Sequence, residues 1–114
     1  MQFRTTVHGM IFAGRDKHLQ SLVVGESLYL IPDPPDQKEP GVWVHRKGGD
    51  IIGHLPSEIS FWLGPWILSG GGVKANAIKV HSPDVPSWRR LLLEINCLVY
   101  KATYSTRVTS SEKY

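Results

Sequence analysis

GDIIGHLPSE, residues 49–58, reads as the end of a strand, a glycine, and an immediate entry into a helix. Ile51 and Ile52 are β-branched and apolar, which suits a buried or half-buried strand. Gly53 lets the backbone turn, or approach a neighbour more closely than a side chain would permit. Pro56 suits the first helical position, where a missing N–H costs nothing, and Glu58 suits the first turn near the positive helix end. His54 is thereby held at a strand-to-helix corner. Two readings follow: a turn whose histidine faces water, or a corner whose helix N–H groups receive a polar or anionic ligand.

Upstream of this corner, Val42-Trp43-Val44-His45 is a strand with both valines on one face. Arg46-Lys47-Gly48-Gly49-Asp50 is the hairpin turn joining it to Ile51-Ile52, its glycines supplying positive φ. Before that strand, residues 32–41 hold four prolines in ten residues. Prolines remove N–H donors and fix φ, so a stiff, polar, exposed loop is expected. Residues 27–31 form a strand, set off by Gly25. Asp16 caps a short helix over residues 17–22, with Leu19 and Leu22 facing inward. Residues 3–12 form the first strand, with Gly9 at a bulge or bend.

Downstream, the helix from Pro56 carries Ile59, Trp62, Leu63, Trp66 and Ile67 at three- and four-residue spacing, which places both tryptophans in the core. Gly64-Pro65 predicts a kink or two short helices. Gly70-Gly71-Gly72 stops the helix. Residues 73–80 alternate as a strand and residues 81–87 form a loop. The longest strand covers residues 88–102, with Leu91, Leu93, Ile95, Cys97 and Val99 on one face and Arg89-Arg90 as a solvated start. Many short strands, glycine-rich turns and one substantial helix predict a small, mainly β barrel with one or two α-helices. One domain is expected over residues 1–104, with a polar tail over 105–114.

The chain has 114 residues, a net charge of +3, and ordinary hydrophobic and charged fractions of 41% and 20%. Such a balance permits an anionic partner without demanding one. The single cysteine, Cys97, excludes an intramolecular disulfide and a cysteine-based zinc site, and its apolar neighbours make it a small buried hydrophobe. The five histidines (His8, His18, His45, His54, His81) lie one per element, so no metal site is read. No nucleophile elbow, His-Glu-x-x-His pair or phosphate loop is present, and Gly70-Gly71-Gly72 lacks the Lys-Ser/Thr that a phosphate loop requires. Neither enzymatic activity nor a cofactor is expected. With no bilayer-length apolar run and no signal-peptide pattern, the expected location is cytoplasmic, away from membranes.

Binding chemistry is better represented. Positive residues cluster in Arg46-Lys47 at the hairpin tip and around Arg15, Lys17 and His18. Phe12, Tyr29 and Trp43 are candidate stacking platforms, though Phe12 and Trp43 fit a core role equally well. Small barrels hold single strands with a basic groove and a few exposed aromatics, each stack contributing about 1–3 kcal/mol.

Val7-x-Gly9-x-x-Phe12, Gly25-Glu26-x-Leu28-x-Leu30, Val42-x-Val44 and Gly49-x-x-Ile52-Gly53-His54-Leu55-Pro56, in this order, resemble the HIRAN domain family over residues 3–100. The resemblance implies an OB-like β-barrel with two helices that binds DNA. Family members fused to SNF2-type helicases capture the 3′-hydroxyl end of single-stranded DNA with an aromatic that stacks the terminal base. By this resemblance Phe12 takes the aromatic position and His54 faces the bound end. The family loop Arg-Glu-Pro-x-Asn-Pro-x-Asp-x-Asn-Ala-Ile is rewritten here, with Pro35, Lys38 and Pro40 at its Asn, Asp and second Asn positions. The implied function is a DNA-repair or DNA-processing module for single-stranded DNA or a DNA 3′ end, working with a separate helicase or nuclease. Its expected site residues are Phe12, Arg15, Gln37, Lys38, Trp43, Arg46, Lys47 and His54. A protein-interaction module that has lost DNA-end recognition is the alternative, because a stiff proline segment loses little entropy on docking.

Overall fold

Alternating apolar and polar residues build six strands: β1 (Gln2–Thr6), β2 (Ser27–Pro32), β3 (Val42–His45), β4 (Ile51–His54), β5 (Gly72–Val80) and β6 (Leu91–Leu98). One α-helix, α1 (Ser57–Leu68), and two 3-10 helices (Phe12–Gln20 and Ser87–Arg89) accompany them. The computed structural model describes residues 1–10, 12–82 and 84–98. All strand pairs are antiparallel, in the order β1-β6-β5-β2-β3-β4. The sheet curls into an OB-like half-barrel, so the expected mainly β architecture is found.

The two ends of that order meet. Just beyond β1, His8 exchanges backbone hydrogen bonds with His54 of β4: its N–H donates to the His54 carbonyl at 2.8 Å and its carbonyl accepts from His54 N–H at 2.9 Å. Gly53 makes this approach possible. A Cβ there would collide with the His8 carbonyl oxygen and come within 2.7 Å of Val7 Cγ1. Inside the curl, Val7, Met10, Val42, Val44, Ile52, Leu55, Leu63, Leu91, Leu93 and Ile95 are almost fully buried. Each large aliphatic residue so buried contributes about 1.5–3 kcal/mol.

Helix α1 closes one end of the core through Leu63 and through Gly64, whose bare Cα lies against Val42 and Pro32. Buried Ser60 accepts a hydrogen bond from Val42 N–H at 3.2 Å, locking the helix to β3. Of the two expected outcomes, a kink or two short helices, the second is not found: Ser57–Leu68 is one continuous helix. Pro65 stands three residues before the last helical residue and has no N–H to donate to the Phe61 carbonyl, while Leu63 and Gly64 are buried. Pro56 is the N-cap and not the first helical residue. Trp66 is half-buried and donates its indole N–H to Gly72 O at 3.3 Å. Trp62 is not core: it is 38% exposed and packs on Phe3 with ring centroids 5.4 Å apart. It stands about 100° around the helix from Leu63, at the flank of the buried stripe.

Other boundaries differ from the sequence reading. β1 ends at Thr6, and the first helical segment is a 3-10 helix from Phe12 to Gln20 instead of a capped helix over residues 17–22. Gly9 turns the chain at φ 74°, and Gly14, within the run, takes a left-handed φ of 71°. Leu19 and Leu22 are buried as expected. Residues 87–89 form a 3-10 turn after Pro86, and β6 begins only at Leu91, opposite Val80 of β5. Arg89 therefore lies over Trp88, 5.8 Å from its ring centroid, and not in a strand. Leu91, Leu93, Ile95 and Cys97 do share the buried face, and burial pushes the Cys97 thiol up from its ordinary pKa. Residues 99–102 of the expected strand, and the tail, lie outside the described residues.

The hairpin turn carries Gly48 and Gly49 at φ 102° and 98°. Its Arg46 reaches back to Glu26, donating from Nε to Oε2 at 2.8 Å and from Nη2 to Oε1 at 3.1 Å. These bonds hold the Glu26 carboxyl below its ordinary range. A depressed carboxylate stabilises the fold above its unfolded pKa and ceases to as pH falls through its folded value.

Gly53→Ala is expected to lower stability by about 2–3 kcal/mol or more in urea denaturation, as overpacking against backbone dictates. Glu26→Gln is expected to cost up to about 1 kcal/mol at neutral pH, the difference from the parent chain shrinking below the ordinary glutamate range. Paired melts at pH 7 and pH 3 check the sign.

Candidate functional site

A groove of about 810 Å³ opens between α1 and residues 33–41. Lys38 and Pro40 stand on the loop side, Phe61 and Leu68 on the helix side, and Trp43 and His54 at its sheet end. Asp33 sets the geometry of the loop. Its Oδ2 accepts from Gly41 N–H at 2.9 Å, and its N–H donates to Gly41 O at 2.8 Å, which fastens both ends of the proline-rich span. Its Oδ1 accepts the Trp43 indole N–H at 3.0 Å, so the same carboxylate orients the ring.

Around Trp43 the closure of the half-barrel gathers three more groups. The Arg15 guanidinium lies 5.3 Å from the Trp43 ring centroid and donates to Gly9 O at 3.1 Å. That distance is within cation–π range. His54 meets Trp43 edge-on, with centroids 5.5 Å apart and planes at 74°. His8 lies behind it, 6.1 Å between centroids. His54 Nδ1 is 3.1 Å from Leu55 O. A carbonyl only accepts, so Nδ1 carries a proton and Nε2 is the nitrogen left for a ligand. Gly9 backs the ring: a Cβ there would come within 2.9–3.0 Å of His54 Cδ2 and Nε2. Ser57, at the uncapped start of α1, lines the groove beside His54.

Of the residues singled out in the sequence, Arg15, Lys38, Trp43 and His54 converge on or beside this groove. Trp43 is half-buried, with its indole shared between Asp33 and the Arg15 stack. Gln37 is exposed on the loop, its N–H held by Pro34 O at 3.2 Å. The positive pair at the hairpin tip divides. Arg46 is engaged by Glu26 and by Ser21, whose Oγ lies 2.7 Å from Nη1, whereas Lys47 is exposed. The Phe12 side chain lies outside the described residues, although its backbone opens the first 3-10 helix.

Four contributors were missed in the sequence: Gly9, His8, Asp33 and Phe61. Asp33 sits among prolines, where its side chain is the available acceptor for the loop's own amides. Phe61 is 83% exposed. Its signal was an aromatic set off the Ile59–Leu63–Trp66 stripe. Among the described residues no group of three or more His, Cys, Asp or Glu side chains is placed to hold a metal ion. Among the same residues no helix is long and apolar enough to cross a membrane.

The sequence matches no family model and no curated protein. The fold is similar to the crystal structure of the HIRAN domain of human HLTF, with a TM-score of 0.58 and 17% identity over 84% of this chain and 74% of that one. The chain has a HIRAN-like fold.

Asp33→Ala is expected to free both the loop and the indole. Amide exchange at Gly41 should accelerate while the β5–β6 amides keep their protection, with a stability loss of about 1.5–3 kcal/mol for bonds to a charged acceptor.

Proposed function

We propose that the groove between α1 and residues 33–41 binds single-stranded DNA or a DNA end, and that the chain is a binding module with no chemistry of its own. The observation that carries this reading is the Arg15–Trp43–His54 cluster: a cation over an indole, with an imidazole edge-on to it at the groove's sheet end. A strand with a flat base and a phosphate needs both an aromatic surface and a positive donor within a nucleotide's reach. Lys38 adds a second positive group on the loop side. The HIRAN-like fold supports this reading. Repair or processing would then depend on a separate helicase or nuclease delivering or consuming the strand.

A second reading has its own support. Phe61 and Leu68 are exposed along the helix wall, and Pro35, Pro40 and Pro65 also line the groove, a lining suited to an apolar peptide. Salt separates the two. Phosphate contacts weaken with log[salt] at a slope of about −0.7 per contact for single strands, whereas apolar docking does not.

Anisotropy with short labelled oligonucleotides is expected to show binding that weakens from low to moderate salt. Trp43→Ala should reduce affinity at least about fivefold, the lower end of one stack. No detectable binding at low salt overturns the proposal. A 3′-phosphate strand binding as well as a 3′-hydroxyl strand retains strand binding and removes end capture.

A further inference from the structure

The outer face of β2, β3 and β4 carries apolar and aromatic side chains where a solvated sheet face ordinarily alternates to polar ones. Strand register puts them in two rows. Ile31 pairs with Trp43, which pairs with His54; Tyr29 pairs with His45, which pairs with Ile51. Directly opposed residues share a face. The first row ends in the groove, and the second lies one step further toward the hairpin tip. Tyr29 and Ile31 are 48% and 49% exposed, and among the described residues no other element covers them. They line a second, shallow depression of about 340 Å³ with His45, Lys47 and the hairpin glycines. Ile31 thus joins the two concavities through its contact position beside Trp43.

Cationic groups stand at both ends of this strip, with Asp33 bonded to Trp43 at one end and Asp50 on the hairpin at the other. Arg46 is balanced by Glu26, with Asp50 also acting on it. Arg15 marks one end of the strip and Lys47 the other. His45 holds Gly49 O through Nδ1 at 3.2 Å, which leaves Nε2 for an outside partner. Positive ends joined by an apolar and aromatic floor match an extended polyanion that carries flat rings.

We infer that a single nucleic-acid strand leaving the groove continues across the outer face of β2 and β3, seating a further base on Tyr29 and a phosphate against Lys47. This rests on the reading of the groove as a single-strand site and extends it to a longer strand. Adjacent strands lie about 4.8 Å apart, so crossing from β4 to β2 covers about 10 Å. The resulting site is several nucleotides long, within the range of about 4–16 found for small barrels.

The test compares a thymidylate dinucleotide with an octanucleotide on the full chain, by anisotropy at two salt concentrations. The octanucleotide is expected to bind at least about fivefold tighter. Tyr29→Ala should abolish that gain, Tyr29→Phe should keep it, and Lys47→Gln should reduce the octanucleotide's salt slope by about 0.7. An octanucleotide that binds no tighter than the dinucleotide overturns the extension and leaves the groove reading intact. A gain that survives Tyr29→Ala does the same. Octanucleotide binding that depends on Tyr29 while Trp43→Ala has no effect overturns the groove reading and with it the path out of the groove, leaving a strand site at Tyr29 by itself, and absence of binding by either probe overturns both.

Discussion

The backbone-to-backbone contact between Gly53 and His8 is the constraint on which the rest depends. Six antiparallel strands can curl, but the free edges of β1 and β4 meet only where a residue without a side chain lets two main chains touch. Once they meet, the exchange of hydrogen bonds between His8 and His54 fixes where the chain turns at Gly9. That turn sends residues 12–20 back over the sheet and brings Arg15 onto Trp43. The candidate site is thus a by-product of closure.

Much of the sheet was legible because period-two burial is strong wherever one face meets a core. β2, β3 and β5 lie within a residue of the sequence reading, and the 46–50 turn follows from its glycine pair. Failures occurred where local preference and tertiary demand diverged. Gly64-Pro65 argues for a broken helix, yet packing of Gly64 on Val42 and Pro32 holds a continuous one. Trp62 obeys helical spacing from Ile59 and Trp66, but it stands at the flank of the buried face, 38% exposed and packed on Phe3. The pairing of β1 with β6 leaves no local trace, since its partners run from Gln2 with Asn96 to Thr6 with Leu92, at opposite ends of the domain.

The candidate site was half legible. His54 stood out through the corner that holds it, and Trp43 and Arg15 through residue type. Their meeting was invisible, because nothing near Arg15 announces that Gly9 will turn it toward β3. Likewise Arg46 and Lys47 are equivalent as charges in a sequence. Only the structure reveals that a carboxylate from residue 26 has already claimed one of them.

The β1–β6 pairing has a consequence for how the molecule is made. Gln2 aligns with Asn96, and the amino group of Met1 donates to Cys97 O at 3.1 Å. Of the six described strands, β1 is synthesised first and pairs with β6, which is synthesised last. Until β6 has emerged, β1 lacks its ladder partner and is held through the His8–His54 bridge and the packing of Phe3 on Trp62. Long-range pairing of this kind slows folding. During synthesis the central β5-β2-β3-β4 strands can assemble first, while the N-terminal edge waits for the final stretch of the domain to close it.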